Sequence, residues 1–244
     1  MKTFIALVFL LLKFFDVFAV DPPQGQLSVE GKKLLGNGKP AALHGMSLFQ
    51  SNYEPGFPFY NEEVVRALKC QWNSNVVRAA MGIDEGAEAY MQGPEPEQTQ
   101  KGRVEKVIKA AIEVGIYVIV DWHTHNALSQ EVKEDTCIFV SEYGTVNADG
   151  NGAVDEGSTK EWWKFLDENN ISYVNWAIEN KDEGAAALKP GTQASQLGVD
   201  ERLTTSGSLV KKHLLGQDNG VKCDGSSTGS TSPASTSPTS NGPK

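Results

Sequence analysis

Ile116-Tyr117-Val118-Ile119-Val120-Asp121-Trp122-His123 is the stretch that decides the fold. It is apolar at odd and even positions alike until its last three residues. A strand with one wet face alternates; a strand covered on both faces reads as a continuous apolar run, as in a parallel sheet between layers. The residues before it supply such a layer. Val104, Val107, Ile108, Ala111 and Ile112 recur at helical spacing, and Gly115 ends that helix as a left-handed cap. Helix then buried strand is the repeating unit of a parallel α/β fold.

The unit recurs on both sides. Upstream, Ala42 to Leu48 and Asn75 to Met81 are core strands, joined by a helix with Val64, Val65 and Leu68 on one face. Leu27 to Glu30 and Lys33 to Leu35 flank Gly31-Lys32, a hairpin of the kind that plugs one end of a barrel. Downstream, Cys137-Ile138-Phe139-Val140-Ser141-Glu142-Tyr143-Gly144-Thr145 is a short apolar run that delivers a carboxylate to its own end. Ser158 and Glu161 are spaced as a capping box, with Trp163 and Leu166 on the inner face of the helix they open. Ile171 to Ile178 is a fifth core strand, and a helix around Leu203 to Leu215 closes the domain.

The chain has 244 residues, 39% hydrophobic and 22% charged, enough for one domain with a real core. A net charge of −9 argues against nucleic acid and anionic membranes as partners and suits a neutral ligand. Lys2, the apolar run Phe4 to Leu12 and the small residue Ala19 read as a secretory signal peptide over residues 1–19, cleaved after Ala19. Lys13 and Asp16 break that run, which is too short for an anchor. Residues 20–217 are then the folded domain. Residues 218–244 are expected to be a disordered linker tail, rich in Ser, Thr, Pro and Gly from Asp224 onward, with no second folded domain. Cys70, Cys137 and Cys223 leave at least one cysteine unpaired, or paired outside the molecule, in a secreted protein, and their spacing assigns no bridge and fits no metal site. Asn170-Ile171-Ser172 is an N-glycosylation sequon.

Arg78, His123, Glu142 and Trp176 fall at the ends of four different expected strands. Singly, each has a plainer reading. A buried Arg is usually half of a structural ion pair, and a Trp is usually core. Together, at one rim of a (β/α) barrel, they line the face where catalysis occurs.

Leu43-His44-Gly45-Met46-Ser47, Asn75 to Gly82, Tyr117 to His125, Phe139 to Thr145 and Tyr173-Val174-Asn175-Trp176-Ala177 resemble, in this order, motifs of glycoside hydrolase family 5. The likeness is strongest to the secreted endo-β-1,4-glucanases of bacteria and plant-feeding invertebrates. It implies a TIM barrel, retaining hydrolysis of β-1,4-glucan in cellulose and related cell-wall polymers, no cofactor and no metal, in a secreted monomer. By position, Glu142 matches the nucleophile on the seventh strand, and Arg78 the second-strand Arg that orients it. His123 matches the third-strand His of a glucose subsite, Trp176 the eighth-strand Trp that stacks on sugar, and Lys181 a substrate-binding Lys. The role of His44 stays open. His123 and His125 would share a strand face as metal ligands do, but only His44 and His213 remain to complete such a site. A structural or hydrogen-bonding role is the better reading for His125.

The chain also departs from the family. Retaining hydrolysis needs a second carboxyl about 5–5.5 Å from the nucleophile, which relatives supply from an Asn-Glu-Pro motif ending strand four. Here only Asn126 to Cys137 separates the third-strand motif from the seventh. Strands four to six, and the sixth-strand His and Tyr, have no counterpart, whereas a complete barrel runs to ~250 residues. Asn61-Glu62 starts a helix and is no substitute, and nothing fixes Glu131 or Glu134 near Glu142. The expectation is a family 5 barrel with a central internal deletion. Its third strand either pairs with its seventh or leaves two open edges. Its hydrolysis is impaired for want of an acid/base. The rival readings are a non-catalytic remnant that grips glucan through Trp176 and Trp122, and an unstable product.

Overall fold

The computed structural model describes residues 19–124 and 137–223. The leader through residue 18, His125, Glu131, Glu134 and the tail from Asp224 lie outside the described residues. A small antiparallel sheet comes first: β1 (Leu27–Glu30), β2 (Lys33–Gly36) and β3 (Lys39–Pro40). The main sheet follows, with β4 (His44–Leu48), β5 (Val76–Gly82), β6 (Tyr117–His123), β7 (Phe139–Tyr143) and β8 (Ser172–Ile178). Four α-helices accompany it: α1 (Glu62–Trp72), α2 (Pro94–Val114), α3 (Glu156–Glu168) and α4 (Thr205–Leu215).

The main sheet is parallel, in the order β6-β5-β4-β8-β7. That is the circular order of barrel strands three, two, one, eight and seven. Among the described residues β6 and β7 do not pair, so of the two expected outcomes the open-edged one is found. Strands β4, β5 and β8 are buried almost throughout, whereas β6 and β7 are only half covered. The uncovered flanks carry apolar side chains. Val120 and Trp122 stand out beside β6, and Ile138, Trp162 and Phe165 beside β7 and α3.

Two apolar layers hold the sheet. The outer one packs Met46, Val77, Ala79 and Tyr173 under helix residues Leu68, Val107, Ala111, Trp163 and Leu166. Each fully buried aliphatic side chain there contributes about 1.5–3 kcal/mol. The inner one is small: Leu43, Val76 and Val174, closed by Leu27 and Leu34 of the hairpin. The hairpin plugs the N-terminal end of the strands as its sequence suggested. Strands β4 and β5 approach so closely that a Cβ at Gly45 would stand 1.9 Å from the Val76 carbonyl oxygen.

Helix ends follow local chemistry. Asn61 caps α1, its side chain accepting from Val64 N–H at 3.0 Å. Gly115 ends α2 at φ 71°. The cap of α3 corrects the sequence reading: Asp155, not Ser158, is the N-cap. Its carboxylate accepts from Ser158 N–H at 2.9 Å, and Ser158 lies inside the first turn. An acidic oxygen at the positive helix end outcompetes a hydroxyl three residues later. Of the apolar positions read along α2, Val104, Val107 and Ala111 are buried, while Ile112 is exposed.

The folded part also extends past the expected boundary at residue 217. Asn219 is buried; its side chain bonds His44 Nδ1 at 2.8 Å and donates to the Asn73 carbonyl at 2.7 Å. Cys223 forms a disulfide with Cys70 in α1, and Cys137 is the free thiol. Polar composition made residues 218–223 look like tail, but these long-range links fold them onto α1.

Candidate active site

The site is built from side chains on the inner, C-terminal side of the sheet. Arg78 is the third of seven residues in β5, opposite Ile119 of β6, so it starts mid-strand and not at the strand end as read from sequence. Its length carries the guanidinium up to the rim. The side chain is buried, and its donors divide among three neighbours. Nη1 donates to Glu142 Oε2 at 3.0 Å and to Ser47 Oγ at 3.1 Å. Nη2 donates to Asp121 Oδ2 at 2.7 Å. One cation of β5 thus joins carboxylates from both edge strands.

His123 closes the arrangement. Its Nδ1 lies 2.8 Å from Asp121 Oδ2 and 3.1 Å from Arg78 Nη2. A guanidinium has no acceptor, so Nδ1 can donate to Asp121 or accept from Arg78, not both. The shorter distance places the hydrogen on Nδ1, bonded to Asp121. Burial pushes the Asp121 carboxyl up, but the His123 bond and the Arg78 charge outweigh it and hold Asp121 below its ordinary value. Asp121 is therefore ionised at neutrality and is an anchor, not a proton donor.

Trp176 forms the opposite wall, and the peptide bond after it is cis. Its ring stacks with His123 at 5.9 Å and 16°, packs on Phe49 at 5.3 Å, and lies 5.6 Å from the Arg78 guanidinium carbon. Lys181 sits beyond it, Nζ 5.6 Å from the Phe49 ring centre and ion-paired with Glu183. His123, Glu142, Trp176, Lys181 and Glu183 share one open cavity of about 430 Å³. A larger space of about 550 Å³ lies beside Cys70 and Cys223 and holds none of these groups.

The structure thus brings together all five residues singled out from sequence: Arg78, His123, Glu142, Trp176 and Lys181. It separates Trp122 from them. Neighbours along a strand face opposite sides, and Trp122 packs edge-on against Tyr90 at 5.1 Å, away from Trp176. Trp122 is therefore no partner to Trp176 in one binding wall. Sequence reasoning missed Asp121, Glu179 and Glu183. Asp121 carried a signal, a lone acid inside an apolar run. Glu179 and Glu183 sit in a charged stretch that reads as solvated loop. Among the described residues no cluster of His, Cys, Asp and Glu has the geometry of a metal site.

A family described as Cellulase (glycosyl hydrolase family 5) matches residues 34–137 and 124–182. Endoglucanase Z of Dickeya dadantii is 27% identical over 311 positions, which cover 85% of this chain and 70% of that protein. An endoglucanase of Clostridium saccharobutylicum is 25% identical over 334 positions, covering 89% and 73%. Both alignments are longer than the 244-residue chain, so stretches of the relatives have no counterpart in it. A solved structure from Cytophaga hutchinsonii superposes with a TM-score of 0.69 at 27% identity, over 78% of this chain and 94% of that one. The catalytic domain of a Thermobifida fusca endoglucanase gives 0.66 at 18%, over 79% and 98%. The five parallel strands are a truncated (β/α)8 barrel, and the chain belongs to the cellulase family, glycosyl hydrolase family 5.

Proposed function

We propose that this chain is a secreted, monomeric endo-β-1,4-glucanase by descent, acting on cellulose and related glucans, with impaired hydrolysis. Glu142 is the nucleophile: its carboxylate attacks the anomeric carbon and forms a glycosyl-enzyme ester. Arg78 holds Glu142 in place, His123 and Trp176 seat the sugar, and Lys181 bonds a hydroxyl. No cofactor or metal takes part. The observation that carries the reading is the 3.0 Å bond from Arg78 Nη1 to Glu142 Oε2 beside the Trp176 wall.

The impairment rests on the strand-four acid/base motif that has no counterpart in the chain, and on two carboxyls near Glu142. Asp121 is held ionised by His123 and Arg78, and Glu183 is paired with Lys181. Among the described residues neither is placed to protonate a leaving oxygen. Loss of a positioned acid/base costs roughly 10²–10⁴ in rate. Reducing-sugar release from soluble cellulose, by protein shown folded by circular dichroism, tests this: wild-type turnover at the rate of a complete family member refutes the impairment. A second reading, a glucan-binding remnant, is favoured by the intact Trp176–His123 wall. Tryptophan fluorescence on adding cellotetraose tests it, and a flat signal at millimolar sugar opposes it.

A further inference from the structure

Glu179 is the first residue after β8, and its side chain is fully buried. The chain folds back over it. Leu188 N–H donates to its carbonyl at 3.1 Å, Ala187 N–H donates to the Ala177 carbonyl at 3.0 Å, and residues 185–188 are themselves buried. Neither carboxyl oxygen of Glu179 meets a hydrogen-bond donor. An ionised carboxylate in that position is a bare buried charge, among the costliest states in a protein.

Within reach is a second acid. The Glu183 carboxyl lies at hydrogen-bonding range of Glu179, and Lys181 is the cation whose charge reaches them. Two carboxylates have four acceptor oxygens and no hydrogen, so they can bond only if one keeps a proton. The environment decides which. Glu183 is ion-paired with Lys181, while Glu179 has no cation of its own. Burial first, and then Glu183, push the Glu179 carboxyl up to about 9.

We propose that Glu179 keeps its proton and donates it to Glu183, and that this bond fixes the Lys181–Glu183 pair on the cavity wall as a charged donor and acceptor for a sugar hydroxyl. The proposal rests on the glucan reading for its ligand, and makes Glu179 a positioning residue. Loss of the proton would place a second anion against Glu183 and draw Lys181 inward, away from the cavity shared with Glu142 and Trp176. Affinity for glucan therefore falls as pH rises through the value of Glu179.

Two measurements test it. The first follows glutamate side-chain carboxyl carbons by NMR in the unliganded protein. One signal that titrates near pH 9 and is missing in Glu179→Gln is expected; a Glu179 signal titrating in the ordinary carboxylate range overturns the proposal. The second is calorimetric titration with cellotetraose. Wild-type affinity should fall about tenfold, or about 1.4 kcal/mol, between neutrality and pH 10. Glu179→Gln, whose amide donates without titrating, should bind normally and stay flat. A Glu179→Gln profile with the wild-type slope overturns the positioning role. If the NMR signal is present but cellotetraose binds at no pH, the glucan reading fails and the sugar-gripping role fails with it, while the proton stays on Glu179.

Discussion

Arg78 Nη1 and Glu142 Oε2 stand 3.0 Å apart, joining a buried cation of β5 to a half-exposed carboxylate on the open edge strand β7. The same guanidinium holds Asp121 of the opposite edge strand at 2.7 Å. Arg78 is thus the one side chain among those of the site that ties both free edges of the half-barrel to its centre. Replacing it by Met leaves both carboxylates without the cation that holds them. Breaking such a pair costs about 3–5 kcal/mol when fully buried, and about 2–3 kcal/mol here because both acids are partly wet. Urea unfolding of Arg78→Met should show that loss. Glu142→Gln, which keeps an acceptor, should cost under about 1 kcal/mol.

The half-buried histidine beside β8 makes stability depend on pH. His213 stacks on Trp163 at 3.7 Å, and its Nε2 is 2.6 Å from the Tyr173 hydroxyl. Burial lowers it to about 4, against a partial opposing pull from Asp167 and a small further push from His44. Between an unfolded value near 6.5 and about 4, the unfolded chain binds more protons than the folded one. Stability is therefore full above about 6.5 and falls as pH drops toward 4. The expected loss is about 1–3 kcal/mol, discounted for a part-buried ring. Urea midpoints at pH 7 and pH 5 should differ in wild type and differ less in His213→Gln, the remainder coming from His44, which burial also lowers.

Asp121 acts lower on the pH scale. Its folded value lies below its unfolded one, so its contribution is complete above about pH 4 and is lost as pH falls further. Asp121→Asn should flatten the acid side of the stability profile below pH 4 and leave the His213 window unchanged.

The Cys70–Cys223 bridge closes a loop of 153 residues, and a loop of that length is worth about 3–5 kcal/mol. The double variant Cys70→Ser, Cys223→Ser should unfold at correspondingly lower urea. A thiol titration of unfolded, unreduced protein should find one free group, Cys137. Two or three free groups would contradict the pairing.

How much of this the residues announced can be traced one by one. The α2–β6 unit was legible because an apolar run of strand length follows a helical stripe that ends in Gly115. Glu142 and Arg78 were legible as chemistry-bearing residues in expected strands, and the structure places them in contact. Their mid-strand or edge positions were not, because apolar runs mark burial without marking register. Asp155 was passed over because Ser158 and Glu161 match a local pattern, whereas a cap is chosen by competition between neighbouring oxygens. The disulfide and the burial of Asn219 join residues far apart in sequence, and no local signal carries them. Glu179 looked like one more charge in Glu179-Asn180-Lys181-Asp182-Glu183; its burial comes from residues 185–188 folding over it.

The most direct test of the central claim separates glycosylation from proton donation. Cellulose needs its leaving oxygen protonated; a dinitrophenyl cellobioside does not, because its phenolate leaves unaided. If Glu142 is a positioned nucleophile without its acid/base, mixing the protein with that activated glycoside should release a burst of dinitrophenolate. Mass spectrometry should then find a cellobiosyl ester on Glu142, and azide, a nucleophile that needs no base, should speed turnover. Glu142→Gln should show none of these. A wild-type protein that gives no burst and no ester on Glu142 would contradict the assignment of the nucleophile. Turnover of soluble cellulose as fast as that of the activated glycoside would contradict the missing acid/base.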